Sequence, residues 1–575
     1  MKINKIKAMI PAVAFLFAAS ITSCTKDLEK GNIDLNVEEN PDRDGLYAKC
    51  YAGLIMEGND GNADFSIDDA GKSTLLRNVF NLNCLPTDEA ICWWSDGGIV
   101  NLCYNKQMPS DLIVKFPYYR LVSNIGFCNH YIDLFADQDP VKLAEVRFIR
   151  AYNYYMMLDF YGDPSFTTII SPDPPKQAHA YNSKFDANAS YSRAELLAMG
   201  REFLFNWVKS EIEAAEPNLI DARAKTMDTD PDYGRIDKAA AWLLLSRLYL
   251  NAGVYLNNDG QNNPYWNEAL TYAEKVINSG YELFDDTKMQ QVAKDNGYKP
   301  YDLLFMGDNG TNGSSCEAIL PLKQDGVLTR GWGGSMFFIA AMWTADSDKR
   351  KGTRTVTGYG AGTTANNWAG MRARPQLIEK FTSNPSNFVD KTAKEIRAIA
   401  NDDRALFWGK EQTLDLGNNT DFDHGIAVVK WSNNYSTGAT PHDTYNVDTD
   451  FFLFRVAEAY LNAAEAEIQL NGSMSTKAKQ YMDAIRNRAH AATKSTYTLT
   501  DVLDERAREF YFEGYRRVDL IRNNKFGGQD NYNWDYKNGV KDGSSKIKFD
   551  KTRNLFPLYS DEIMANSNLT QIDGY

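Results

Sequence analysis

The sequence predicts a mainly α-helical protein, a scaffold of tetratricopeptide-like helix pairs with a large loop-rich face and few short strands. Three observations predict it. A Tyr-Leu-Asn-Ala core occurs twice, at Tyr249–Ala252 and Tyr460–Ala463, each within an apolar helical pattern whose small residues permit close backbone approach. Each copy is followed by a second amphipathic helix, 267–279 with Ala269, Tyr272, Ala273 and Val276, then 477–489 with Ala478, Tyr481, Met482 and Ile485. Between these stretches run long segments rich in Gly, Asn, Asp and Thr with aromatics interspersed, the composition of loops.

Taken in order, residues 1–23 read as a secretory signal: basic Lys2 to Lys7, an apolar run Ala8–Ala19, then Ile21-Thr22-Ser23. That run is too short to span a bilayer core of about 30 Å. Cys24 directly follows the small residues, as in a bacterial lipobox, so it is the expected lipidation site. Several acyl chains hold firmly, since burial contributes about 0.8 kcal/mol per CH₂. Residues 24–45 are polar and charged and read as a tether. Residues 46–575 are expected to form one domain, with helix pairs at about 142–280 and 450–522 and loop-rich segments at about 60–120 and 285–450. Val146–Tyr161 reads as the first helix of a further unit, and Asp504–Arg522, with opposite charges at three- and four-residue spacing, as an ion-pair-laced helix with Ala507 and Phe510 inward.

Composition excludes several function classes. A net charge of −14 lacks the footprint of a nucleic-acid binder. The five histidines are scattered and the cysteine spacings fit no metal pattern, so neither metal nor cofactor is expected, and the six cysteines after Cys24 read as buried free thiols. There is no Gly-x-Ser-x-Gly elbow, and no carboxylate pair stands out among 76 acids, so no catalytic set is assigned. What remains is aromatic. Leu85–Asp96 holds Trp93 and Trp94 with several acids; Trp332 and Trp368 stand beside glycines, the latter shortly before Arg372. An indole with little local cover offers a flat face to a pyranose, while Asp96, Arg372 and asparagines bond the hydroxyls.

In these residues the chain resembles the SusD/RagB family of outer-membrane lipoproteins. The likeness rests on the Cys24 lipobox, Asn83-x-Leu-Pro-Thr-Asp-Glu89, the Tyr-Leu-Asn-Ala pairs, and Glu505-Arg-Ala-Arg-Glu-Phe-Tyr-Phe-Glu513-Gly514 through Arg516-Arg517-x-Asp519-Leu-Ile-Arg522. It implies a non-enzymatic, lipid-anchored protein at the cell surface that captures oligosaccharide for a SusC-like TonB-dependent outer-membrane transporter. Gln324–Arg330 with Trp332–Ser335, and the stretch ending at Trp368, look like the family's starch-binding pattern, which implies an α-glucan such as a starch fragment or maltooligosaccharide. Carried over on that pattern, Asp69 and Arg77 are polar contacts and Trp94, Trp332 and Trp368 an aromatic arc. Cys92 stands where that arc has a further tryptophan, and Asp96-Gly97 where a sugar-bonding amide is expected. These departures put identical ligand geometry in question and leave a related glucan such as dextran as an alternative; a surface glycoside hydrolase is the alternative from a different class.

Overall fold

Helices with a single apolar stripe bury it by stacking on one another, and this organises most of the chain. The computed structural model describes residues 42–57, 71–343, 368–416, 424–443, 445–528 and 549–575. The signal segment, Cys24 and Asp69 therefore lie outside the described residues. Contacts divide the chain into residues 1–46, of which 42–46 are described and open helix α1 (Arg43–Ala52), and a body of residues 47–575.

In the body, α2 (Leu75–Cys84) and β1 (Ala90–Cys92) precede the helices α3 (Leu112–Phe135), α4 (Pro140–Tyr161), α5 (Arg193–Ala215), α6 (Lys238–Leu250) and α7 (Trp266–Ile277). Then come β2 (Ala318–Leu322), α8 (Gly334–Met342), β3 (Met371–Ala373) and β4 (Phe451–Arg455), and finally α9 (Val456–Asn471), α10 (Thr476–Arg488), α11 (Leu499–Phe510) and α12 (Arg516–Arg522). The strands form two-stranded antiparallel ribbons, β1 with β3 and β2 with β4. Helix α4 packs on both α3 and α5, α7 lies against α6 and α9, and α10 lies on α9. This is the helical, pairwise architecture the sequence predicts. Among the described residues no helix is long and apolar enough to cross a membrane.

Local chemistry sets the helix starts. Asp139 accepts the N–H groups of Val141 and Lys142 at 3.1 Å, with Pro140 in the first position. Asp237 caps Ala240, Ser475 caps Ala478, and Thr498 and Asp501 cap one another's backbone. Each such cap contributes about 0.5–2 kcal/mol. Ala457, Ala464 and Ala478 are fully buried and let Leu461, Ile468, Met482, Ile485, Val502 and Phe510 interdigitate between α9, α10 and α11. Burying a side chain of that size contributes roughly 1.5–3 kcal/mol. The six cysteines of the described residues are buried free thiols, as expected.

Two expectations need correction. The segments expected to be loop-rich also carry helices among their described residues: α2 and the start of α3 fall in 60–120, and α8 in 285–450. The charged stretch at 504–522 is not one helix. It breaks after Phe510, where Phe512 at φ +65° and Gly514 at φ +87° turn the chain into α12. Ala507 and Phe510 do face inward, but so do the charges. Arg455 Nη1 meets Glu317 at 2.6 Å and Glu509 at 3.0 Å, its Nη2 meets Glu513 at 2.8 Å, and Arg404 meets Glu505 at 2.7 Å, all buried. Burial alone would raise Glu509, yet the guanidinia of Arg488, Arg455 and Arg404 bring it down to about 2. Buried charges are tolerated when paired in this way, and the network ties β4, α10 and α11 together.

Candidate functional site

The β1–β3 ribbon, in register with Cys92 opposite Met371, brings two tryptophan-bearing loops side by side. Beyond the ribbon Trp93 donates its backbone N–H to Gly370 O at 3.1 Å, and Trp94 donates its indole N–H to Ala369 O at 2.6 Å. Gly370 sits at φ +129°, and a Cβ there would lie 2.3 Å from Trp94 Nε1, so only glycine lets the indole seat. Trp368 and Ala369 dock on the end of α8, with Trp368 N–H on Ala340 O at 2.7 Å and Ala369 N–H on Trp343 O at 2.8 Å. Trp332 enters from the loop before α8. Its backbone N–H and that of Gly333 both donate to the Glu57 carboxylate.

These seats put the rings in a row. Trp94 and Trp368 have centroids 6.4 Å apart with planes at 60°, and Trp368 and Trp332 are 5.9 Å apart at 39°. Tyr445 continues the row 5.5 Å from Trp332 at 77°. Trp332 is 38% exposed and Tyr445 41%, while Trp94 and Trp368 are half-buried. At the Trp94 end the Arg77 guanidinium, on α2, lies 5.3 Å from the Trp94 ring centroid and 5.0 Å from that of Phe337 on α8. Asp96 stands 3.0 Å from Lys72 Nζ and 4.0 Å from Arg77 Nη2, and its side chain is about one third exposed. The arrangement sets partly exposed rings beside a polar end of two cations and one carboxylate, a combination suited to a ligand with apolar faces and hydroxyl edges.

Of the residues named from sequence, Arg77, Trp94, Asp96, Trp332 and Trp368 are brought together. Arg372 is not. It belongs to β3 opposite Ile91, is 2% exposed, and bonds Met371 O at 2.7 Å, so strand pairing takes it below the surface. Cys92 is buried in the ribbon, and Trp93 is half-buried outside the row. Sequence reasoning missed Tyr445, Lys72 and Glu57. Tyr445 lies in a polar stretch where a single ring carries no periodic signal; its backbone N–H and that of Asn446 bond the Asp443 carboxylate, and these bonds hold that carboxyl below its usual range.

A family described as the SusD family matches residues 342–575. The starch-binding protein SusD of Bacteroides thetaiotaomicron is 33% identical over 618 residues of alignment, covering 100% of both chains. Among solved structures, surface glycan-binding protein A from Bacteroides uniformis superposes with a TM-score of 0.61 at 17% identity, covering 92% of this chain and 98% of its own. Its counterpart from Bacteroides thetaiotaomicron, in complex with laminarihexaose, gives 0.58 at 17% identity with the same coverage. At that identity the structural likeness speaks for the fold.

Proposed function

The chain belongs to the SusD family, and from that premise we propose that it is a non-catalytic, cell-surface protein that captures an oligosaccharide or polysaccharide on the Trp94–Trp368–Trp332–Tyr445 row. The observation that carries this reading is the row itself. Four rings follow one another at 5.5–6.4 Å with planes turned by 39–77°, and two are more than one third exposed. Turned planes suit a curved chain better than a flat ribbon, which favours an α-glucan such as a maltooligosaccharide, the polymer class in the name of the 33% identical relative. Arg77 and Asp96, with Lys72, then bond sugar hydroxyls at one end of the row. Delivery to a SusC-like TonB-dependent transporter, and anchoring to the outer membrane through lipid on Cys24, complete the proposal.

Asp96 pairs with Lys72 at 3.0 Å and stands 4.0 Å from Arg77, which fixes its carboxylate at the Trp94 end of the row. Native affinity gels containing amylose, dextran or laminarin test the binding reading. Retardation by amylose that is lost in the Trp94, Trp332, Trp368 triple alanine variant, with folding retained, is the expected result. Unchanged migration of that variant overturns the site, and release of reducing sugar overturns the non-catalytic reading. Mass spectrometry of the purified mature chain reads the lipid on Cys24 and its loss in Cys24→Ala.

A further inference from the structure

Three side chains outside the ring row converge: Asp325, His442 and Asp448 each offer one ligand atom, and these atoms lie within 4.8 Å of one another. His442 Nδ1 is 3.2 Å from Asp448 Oδ1 and 3.9 Å from Asp325 Oδ2. Tetrahedral zinc with bonds of roughly 2.0–2.1 Å holds its ligand atoms about 3.4 Å apart, a figure the two imidazole–carboxylate spacings of 3.2 and 3.9 Å bracket.

The two carboxylates add a second observation. Asp448 has a side chain only 4% exposed, and buried carboxylates are ordinarily met by a cation. Among the described residues neither Asp448 nor Asp325 has a lysine or arginine within ion-pairing distance; the imidazole is the one basic group on both. Both are instead oriented by neutral donors. Asp448 accepts the Gly326 and His442 N–H groups at 2.9 Å and the Tyr435 hydroxyl at 3.0 Å. Asp325 Oδ1 accepts Val327 and Leu328 N–H groups at 2.7 and 2.9 Å, which leaves Oδ2 toward the imidazole.

We propose that Asp325, His442 and Asp448 form a binding site for a divalent cation of the zinc class, completed by water, that fastens the loop carrying Trp332 to the loop carrying Tyr445. One imidazole with two carboxylate oxygens suits zinc, whereas calcium takes six to eight oxygens. The cation would set the spacing of the last two rings of the row, and in that respect the proposal rests on the carbohydrate reading above. Asp325 lies far along the chain from His442 and Asp448, which is why no ligand spacing marks the full set in the sequence.

Calorimetry of the purified chain with Zn²⁺ alone, beside Ca²⁺ and Mg²⁺, tests it. One Zn²⁺ per chain is expected, weakened at least tenfold in His442→Ala and in Asp448→Asn, with no comparable Ca²⁺ or Mg²⁺ isotherm. His442 is largely exposed, so His442→Ala is expected to melt like the parent without metal, and Zn²⁺ to raise the melting temperature of the parent alone. No isotherm, an isotherm the substitutions leave unaltered (an adventitious ion only), or equal binding of Ca²⁺ overturns the site. Amylose retardation with and without Zn²⁺ reads the fastening: at least a twofold gain in the parent and none in His442→Ala is expected, and no gain overturns the fastening. A chain that takes up Zn²⁺ through His442 yet is retarded by no glycan leaves the metal site standing and removes the carbohydrate reading, so the two fail separately.

Discussion

Replacing Trp332 by alanine isolates the contribution of one ring. The indole is 38% exposed and its seat is backbone: its own N–H and that of Gly333 donate to Glu57, and both bonds survive the substitution. Stability is therefore expected to change little. Binding loses one stacked sugar, worth about 0.5–1.5 kcal/mol by analogy with aromatic pairs. At about 1.4 kcal/mol per tenfold, the dissociation constant rises roughly 2- to 13-fold. Trp332 lies 5.9 Å from Trp368 and 5.5 Å from Tyr445, so its removal also frees those rings to move. The double substitution with Trp368 should consequently fall short of the sum of the singles. Isothermal titration with maltoheptaose, alongside thermal melting, measures both. Unchanged affinity at unchanged melting temperature refutes the reasoning, as does a loss of affinity that only accompanies unfolding.

Other outcomes follow from the same geometry. Gly370→Ala places a methyl 2.3 Å from Trp94 Nε1 at a φ of +129°; it should destabilise by about 1–3 kcal/mol and abolish glycan retardation, read by urea melts and affinity gels. Arg455→Ala leaves Glu317, Glu509 and Glu513 short of a buried cation and should cost about 3–5 kcal/mol, measured as a fall in the urea midpoint at unchanged m. The acid limb of the stability profile reflects Glu509: its folded value of about 2 lies below its ordinary 4.5, so that stabilisation is present above 4.5 and is lost as pH falls toward 2. Glu89 acts in the opposite sense. Burial pushes it up to about 7, so the folded chain holds the extra proton between 4.5 and 7 and stability declines as pH rises through that window. Glu89→Gln should flatten that slope in urea melts at pH 5, 6 and 7, and an unaltered slope refutes the assignment.

The helical scaffold was legible where small and aromatic residues recur at helical spacing: α6 with α7 and α9 with α10 announce themselves through Tyr-Leu-Asn-Ala. Helix α3 does not, because it is apolar around much of its circumference and carries Pro117, which blurs any period. The charged stretch at 504–522 misleads for a general reason. Charges alternating at three and four residues look the same whether their partners are water or, as here, Arg404, Arg455 and Glu317 from remote segments. In the site, glycines beside Trp332 and Trp368 mark uncovered indoles, but the pairing of β1 with β3, which buries Arg372, is a long-range fact no local pattern encodes. Tyr445 reaches the row only through tertiary packing.

The ring row is assembled from loops at 93–96, 332, 368 and 445, of which the β1–β3 ribbon joins only the first and third directly. A ligand lying across all four rings would bridge the joined Trp94 and Trp368 loops to those of Trp332 and Tyr445. Occupancy of the whole row would therefore restrain the Trp332 and Tyr445 loops, whose rings lie 5.5 Å apart, against the pair already locked by Gly370.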